Sequence, residues 1–135
     1  MALVIDASVA VKFLVREVKT EEARALLAIP DPLIAPDWLL IEAASTFWKK
    51  VKRSELLAIH AERHLTDLPK FFERLHPARE LVETALAWSL RLHHPVYDCL
   101  YVALALRENA RLVTADEGLH AAVAGTDLAG MVEML

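Results

Sequence analysis

Glycine, cysteine and basic charge are all scarce in this chain, and each scarcity excludes a class of protein. The only glycines are Gly118, Gly125 and Gly130. They come too late and too far apart to cradle phosphates in a P-loop or a dinucleotide fingerprint. The single cysteine, Cys99, excludes an internal disulfide and fits a reducing, cytoplasmic setting. No apolar run approaches the roughly 20 residues that span a bilayer, so no membrane role is expected. The N-terminus has no basic stretch before its apolar residues, and Asp6 interrupts them, which argues against a secretory signal. Lys and Arg total 15 against 19 Asp and Glu, a net charge of −4. A generally basic nucleic-acid binder is thereby excluded, and any phosphate contact must come from a local patch or through a metal. No nucleophile-elbow pattern of a serine hydrolase is present.

What the chain has in quantity is apolar residues, 56% of its 135, enough for the core of one domain spanning residues 1–135. The organising stretch is Leu3 to Ser8, Leu-Val-Ile-Asp-Ala-Ser. An apolar, β-branched run ending in a carboxylate reads as a strand buried on both faces, with Asp6 at its carboxyl end. Ser8 is a candidate N-cap for a short helix over Val9 to Val15. Thr20 followed by Glu22 to Ile29 reads as a second helix, stopped by Pro30 and Pro32. Leu33 to Ala35 is a brief strand. Asp37 is a candidate cap for a long helix from Trp38 to about Val51, and Ser54 and Glu55 open another to about Leu68. Phe71 to Leu75 reads as a third strand, Ala78 to Leu92 and Tyr97 to Asn109 as helices, and Arg111 to Ala115 as a fourth strand. Glu117 to Val123 is a short helix and Met131 to Met134 a last strand. This alternation predicts a three-layer α/β/α domain with a mostly parallel sheet of four to five strands.

Parallel strands linked by right-handed crossovers send their carboxyl ends to one edge, where ligands bind in open α/β sheets. Asp6 and Asp116 each follow a strand. Asp98 lies in the first turn of the helix that Pro95 helps to start, and Glu42 lies one turn inside a helix among Leu39, Leu40, Ile41, Ala43 and Ala44. Each has a plain structural reading: a capping aspartate, a helix-dipole partner, a solvated glutamate, a turn residue. The set of four at equivalent ends of successive βα units points instead to one acidic pocket. Gathered carboxylates raise one another's pKa values, and a divalent cation offsets that repulsion. Mg²⁺ suits carboxylate and water ligands, with Mn²⁺ as substitute.

Several other residues have competing readings. Lys49, Lys50, Lys52 and Arg53 close the Glu42 helix, and Lys12 and Arg16 follow Asp6. They read as solvated helix-end charges or as contacts to an RNA backbone, with Lys12, Lys49 and Lys50 the candidates. Lys49 shares a face with Glu42, roughly 10 Å along the axis. His60 and His64 have metal-ligand spacing, but Ala61 stands where a zincin needs Glu. Trp38, Phe47, Trp48 and Trp88 read as packing residues before base-stacking ones, and Cys99 as a buried thiol.

Leu3 to Lys12, Ala35 to Ala44, Tyr97 to Ala105, and Leu112 to Asp116 together resemble, in order and spacing, the four motifs of PIN-domain ribonucleases. The nearest branch by resemblance is the VapC-like toxins of type II toxin–antitoxin pairs. The resemblance implies a magnesium-dependent endoribonuclease restrained by a cognate antitoxin and working as a homodimer. It implies Asp6 and Asp98 as the main Mg²⁺ ligands, Glu42 and Asp116 completing the catalytic acids, and Ser8 and Thr114 supporting them by hydrogen bonds. Cleavage of the phosphodiester would use metal-activated water. Cys99 stands where a smaller residue is more usual, and Asn109-Ala110 where a glycine is common; neither touches an acid.

Two rivals belong to other classes. A phosphotransfer domain, of receiver or haloacid-dehalogenase type, also places Asp after its first strand. The phosphatase needs a second acid where Ser8 stands, and both need a late lysine, whereas the last lysine here is Lys70. A catalytically inactive PIN binding module would be expected to have lost acids, and all four candidates are present.

Overall fold

The computed structural model describes residues 1–135. Five short strands, β1 (Leu3–Ile5), β2 (Leu33–Pro36), β3 (Arg74–His76), β4 (Arg111–Thr114) and β5 (Val132–Met134), form one sheet in the order β3-β2-β1-β4-β5. All four pairings are parallel. Val4 of β1 lies between Ile34 of β2 and Leu112 of β4, and Leu112 in turn lies beside Val132 of β5. The expected three-layer α/β fold is therefore present, with every strand parallel. β1 is central because it is apolar on both faces: Leu3, Val4 and Ile5 are all buried.

Seven helices accompany the sheet: α1 (Ala7–Ala10), α2 (Thr20–Ala25), α3 (Trp38–Lys52), α4 (Ala58–Asp67), α5 (Val82–Leu92), α6 (Val96–Glu108) and α7 (Glu117–Val123). From β1 the chain steps through β2 to β3, then crosses back over the sheet to β4 and β5. Right-handed crossovers put α1 to α4 on one face and α5 to α7 on the other. α6 packs on β1, β2 and β4 and is covered from outside by α5. That double cover explains why Cys99 to Ala105 are buried without a break, where a surface helix would show an apolar stripe.

The reversal of strand order falls between β1 and β4. Successive crossovers leave the sheet there in opposite directions and open a crevice at the carboxyl edge. Asp6 and Asp116 are the residues immediately past these two strands.

Several local expectations are corrected. Asp6, not Ser8, caps α1, its carboxylate accepting from Val9 N, and that helix passes into a 3-10 turn over Val11–Phe13 rather than running to Val15. Asp37 occupies the N-cap position of α3 as expected, but its side chain does not cap the helix; it accepts from Ala78 N at 2.9 Å and ties α3 to the turn after β3. α4 starts at Ala58, because Ser54 is left-handed and Leu57 extended. β3 begins at Arg74, since Pro69 opens a 3-10 turn over Leu68–Phe71. The helix expected from Ala78 opens as a separate 3-10 turn, Ala78–Glu80, before α5.

Candidate active site

The crevice at the carboxyl edge is a cavity of about 680 Å³ whose lining includes Asp6, Glu42, Asp98 and Asp116. Each acid arrives from a different element: Asp6 from the end of β1, Glu42 from the second turn of α3, Asp98 from the first turn of α6, and Asp116 from the cap of α7.

Asp6 is 5% exposed. Ser8 Oγ donates to its Oδ1 at 2.5 Å and Val9 N to the same oxygen at 3.2 Å, while Thr114 Oγ1 donates to Oδ2. Thr114 and Ser8 also accept from Asp116 N at 3.0 Å and Ala115 N at 2.9 Å. The two hydroxyls thus lock the end of β1 to the end of β4. Burial pushes the Asp6 carboxyl up to about 6 against the pull of these hydrogen bonds, and the Asp98 charge adds to the rise.

Glu42 receives a hydrogen bond from Tyr101 Oη at 2.6 Å. Its carboxyl is pushed up to about 7, chiefly by burial; the tyrosine pulls it back, and the charges of Asp98, Asp6 and Asp116 push it further. Burial likewise raises Asp98, with the negative charge of Asp116 contributing and His94 opposing. Asp116 Oδ1 accepts from Gly118 N at 2.8 Å and Leu119 N at 3.4 Å, capping α7 and leaving Oδ2 without a protein donor.

The tightest gathering of metal-ligating atoms joins Asp98 and Asp116 to His94, all within 4.8 Å of one another. Asp6 and Glu42 line the same cavity outside this set. Buried and half-buried carboxylates, among them Asp98 and Asp116 with one oxygen each that takes no protein donor, fit a divalent cation that would offset their repulsion.

The expected basic residues divide. Lys12 and Lys49 line the cavity, Lys50 does not. Glu17 takes Lys12 at 3.1 Å and Lys50 at 2.7 Å, both largely buried, and these cations hold Glu17 below the usual carboxylate range despite its own burial. Lys49 forms no ion pair. Arg16 pairs on the surface with Glu21.

Among the aromatics, Phe47 is core, while Trp38 stacks on Tyr97 with centroids 5.8 Å apart, and both line the cavity. Trp48 and Trp88 carry the cations Lys52 and Arg91 over their rings on the surface. His60 and His64 have their ring centroids 6.4 Å apart and no third ligand beside them. Cys99 is buried with its thiol pushed up to about 11, which leaves it unreactive.

Sequence reasoning missed His94 and Tyr101. His94 stands four residues before Asp98, a spacing that signals contact on a helix, but it lies just ahead of α6 with Pro95 between. Tyr101 sits three residues after Asp98 in an apolar helix and carries no local sign that its hydroxyl meets Glu42.

A model of the PIN domain family matches residues 3–125. The chain belongs to the PIN domain family. This PIN domain is 34% identical over 121 residues to Ribonuclease VapC3 of Pyrobaculum aerophilum, covering 88% of this chain and 92% of that protein. It is 33% identical over 114 residues to Ribonuclease VapC9 of Mycobacterium tuberculosis, covering 84% and 85%. In fold it is similar to the crystal structure of PAE2754 from Pyrobaculum aerophilum, with a TM-score of 0.71 at 21% identity over 93% of this chain and 82% of that one. The PIN and VapC resemblance read from the sequence motifs is thus shown. No helix is long and apolar enough to cross a membrane.

Proposed function

We propose that this PIN domain is a divalent-cation-dependent endoribonuclease acting as the toxin of a type II toxin–antitoxin pair. The carrying observation is that four acids separated by up to 110 positions line one cavity at the strand-order reversal. The names of the curated relatives, VapC ribonucleases matched over most of their length, support the same reading.

In this reading Asp98 and Asp116, each with a carboxylate oxygen free of protein donors, would hold the cation, Mg²⁺ or Mn²⁺. Asp6, expected as a main ligand, already accepts from Ser8, Val9 N and Thr114 on its two oxygens and would instead add negative charge behind them. The bound cation supplies a Lewis acid for the phosphate oxygens and lowers the pKa of water. Glu42, whose carboxyl is raised by burial, would take a proton at its Oε2 while Tyr101 donates to Oε1. Ser8 and Thr114 fix Asp6 and the two strand ends. Lys49, which lines the cavity and forms no ion pair, holds the RNA backbone, as lysines do for phosphates, while Lys12 is held by Glu17. Lys50, engaged by Glu17, serves the pair rather than the substrate. The Trp38–Tyr97 stack gives a wall on which an unpaired base packs.

The partners in this proposal are a single-stranded RNA, a cognate antitoxin and a second copy of the chain. Val82, Leu86 and Leu90, exposed at four-residue spacing along α5, support coverage by another protein. A cytoplasmic setting, read from the lone cysteine, belongs to the same proposal.

The test is cleavage of defined RNA oligonucleotides by the purified chain with Mg²⁺, with Mn²⁺ and with EDTA, alongside Asp98→Asn. Cation-dependent internal cuts, lost in the variant, are expected. Cation-independent cleavage, or none from a folded sample with any RNA class, would overturn the reading, and retained RNA binding without cleavage would favour a binding module.

A further inference from the structure

The geometry points to His94 as a direct nitrogen ligand of the cation, making this site prefer Mn²⁺ over Mg²⁺ where an all-carboxylate pocket would not. The inference rests on the cavity being a divalent-cation site, as proposed above.

Three observations carry it. First, the reach is right. Donor atoms around one six-coordinate ion with bonds of about 2.1 Å lie about 3.0 Å apart when adjacent and about 4.2 Å apart when opposite. His94 Nε2 is 2.7 Å from Asp98 Oδ2, a hydrogen bond that a shared ion would replace, and the set with Asp116 falls within 4.8 Å, so shifts below about 1 Å gather all three on one ion. Second, His94 is held in place before any ligand arrives. α5 ends at His93 in the left-handed conformation, and His94 N donates to Ser89 O at 3.2 Å. Ser89 Oγ donates to His94 O at 2.5 Å, and Pro95 fixes the next residue at the start of α6. The imidazole is thereby placed over the first turn of α6 beside Asp98. Third, Gly118 leaves room at the Asp116 end: a Cβ there would press on Asp116 Oδ1 at 3.1 Å, while His94 Cε1 at 3.7 Å would be an ordinary contact.

The chemical consequence follows from donor type. Carboxylate and water suit Mg²⁺ and Mn²⁺ alike, whereas imidazole suits first-row transition ions and adds little for Mg²⁺. A histidine that only oriented Asp98 from behind would strengthen both ions equally, which separates the two roles.

The test uses the full chain loaded with Mn²⁺ and reads electron spin-echo modulation from a directly bound ¹⁴N, with calorimetric titration of Mn²⁺ and Mg²⁺ into the native protein and His94→Gln. Expected are a nitrogen coupling in the native protein that disappears in His94→Gln, and Mn²⁺ affinity weakened about tenfold or more against less than about threefold for Mg²⁺. Bound Mn²⁺ without nitrogen coupling, a coupling that survives in His94→Gln, or equal weakening of both ions would overturn the inference and leave the cation site standing. Failure of both ions to bind the native chain would overturn the site itself. If His94→Gln does not fold, the native spectrum alone decides.

Discussion

Removing the charge of Asp6 should make the cation-free protein more stable while destroying its proposed activity. Asp6 is buried, and its carboxyl is pushed from 3.8 up to about 6. A carboxyl raised in the folded state contributes stability that is full below pH 3.8 and is lost as pH rises through about 6. A gap of about two units at 1.36 kcal/mol each makes that loss about 3 kcal/mol at pH 8. Asp6→Asn keeps the shape and an equally good helix cap. It abolishes the ionisation but presents one oxygen and one amide to three donors, Ser8, Thr114 and Val9 N. One hydroxyl must turn round to accept, at a cost of about 1 kcal/mol. The net expectation at pH 8 is a gain of about 1–2 kcal/mol, or a Tm about 3–6 °C higher for a chain of this length. At pH 5 the variant's advantage should shrink by about 1.4 kcal/mol, because the native carboxyl is by then mostly protonated. Thermal unfolding followed by circular dichroism in EDTA at both pH values measures this. Adding Mg²⁺ at 100 times its Kd should stabilise the native chain by about 2.7 kcal/mol and the variant far less. An Asp6→Asn protein less stable than native at pH 8 without metal, or a difference unchanged by pH, would refute the argument.

Further outcomes are expected at other positions. RNA cleavage by the native chain should fall on the acid side as Glu42 takes up its proton, at a pH below the about 7 of the cation-free carboxyl because a bound cation offsets the charges of Asp98, Asp6 and Asp116, and Glu42→Gln should lower the single-turnover rate by about 10²-fold or more. Tyr101→Phe removes the hydrogen bond that pulls Glu42 down, so the acidic limb of the pH–rate profile should move to higher pH with the fold retained. Thr114→Val leaves Asp6 Oδ2 and Asp116 N without their partner in a fully buried position and should cost about 1–3 kcal/mol in urea unfolding. Leu112→Ala in buried β4 should cost about 2–5 kcal/mol by the same measurement, while Leu90→Ala, 68% exposed, should stay within about 0.5 kcal/mol.

Much of this molecule is legible locally. A β-branched run that ends in one carboxylate reads as a buried strand delivering a charge to its end, and β1 with Asp6 is such a strand. Glu42 stands out because a charge among five apolar neighbours needs a reason, and its reason is the cavity wall. Helix starts are less legible. Asp37 and Ser8 look like caps by residue type, but the donors their oxygens meet, Ala78 N for Asp37 and Ala115 N for Ser8, come from distant elements. Lys50 looks as free as Lys49 in the sequence, and only the approach of Glu17 from 33 positions away distinguishes them.

By itself the sequence determined the alternation of strands and helices and the seating of the acids at strand and helix ends, because both follow from short-range patterning of apolar and polar residues. Tertiary structure alone decided that β1 and β4 are neighbours, that Thr114 reaches Asp6 across 108 positions, and that His94 and Tyr101 face the acids. Which strands pair depends on how whole faces bury against one another. The charge state of each carboxylate depends in turn on how much water that burial removes, and no local stretch of residues carries either quantity.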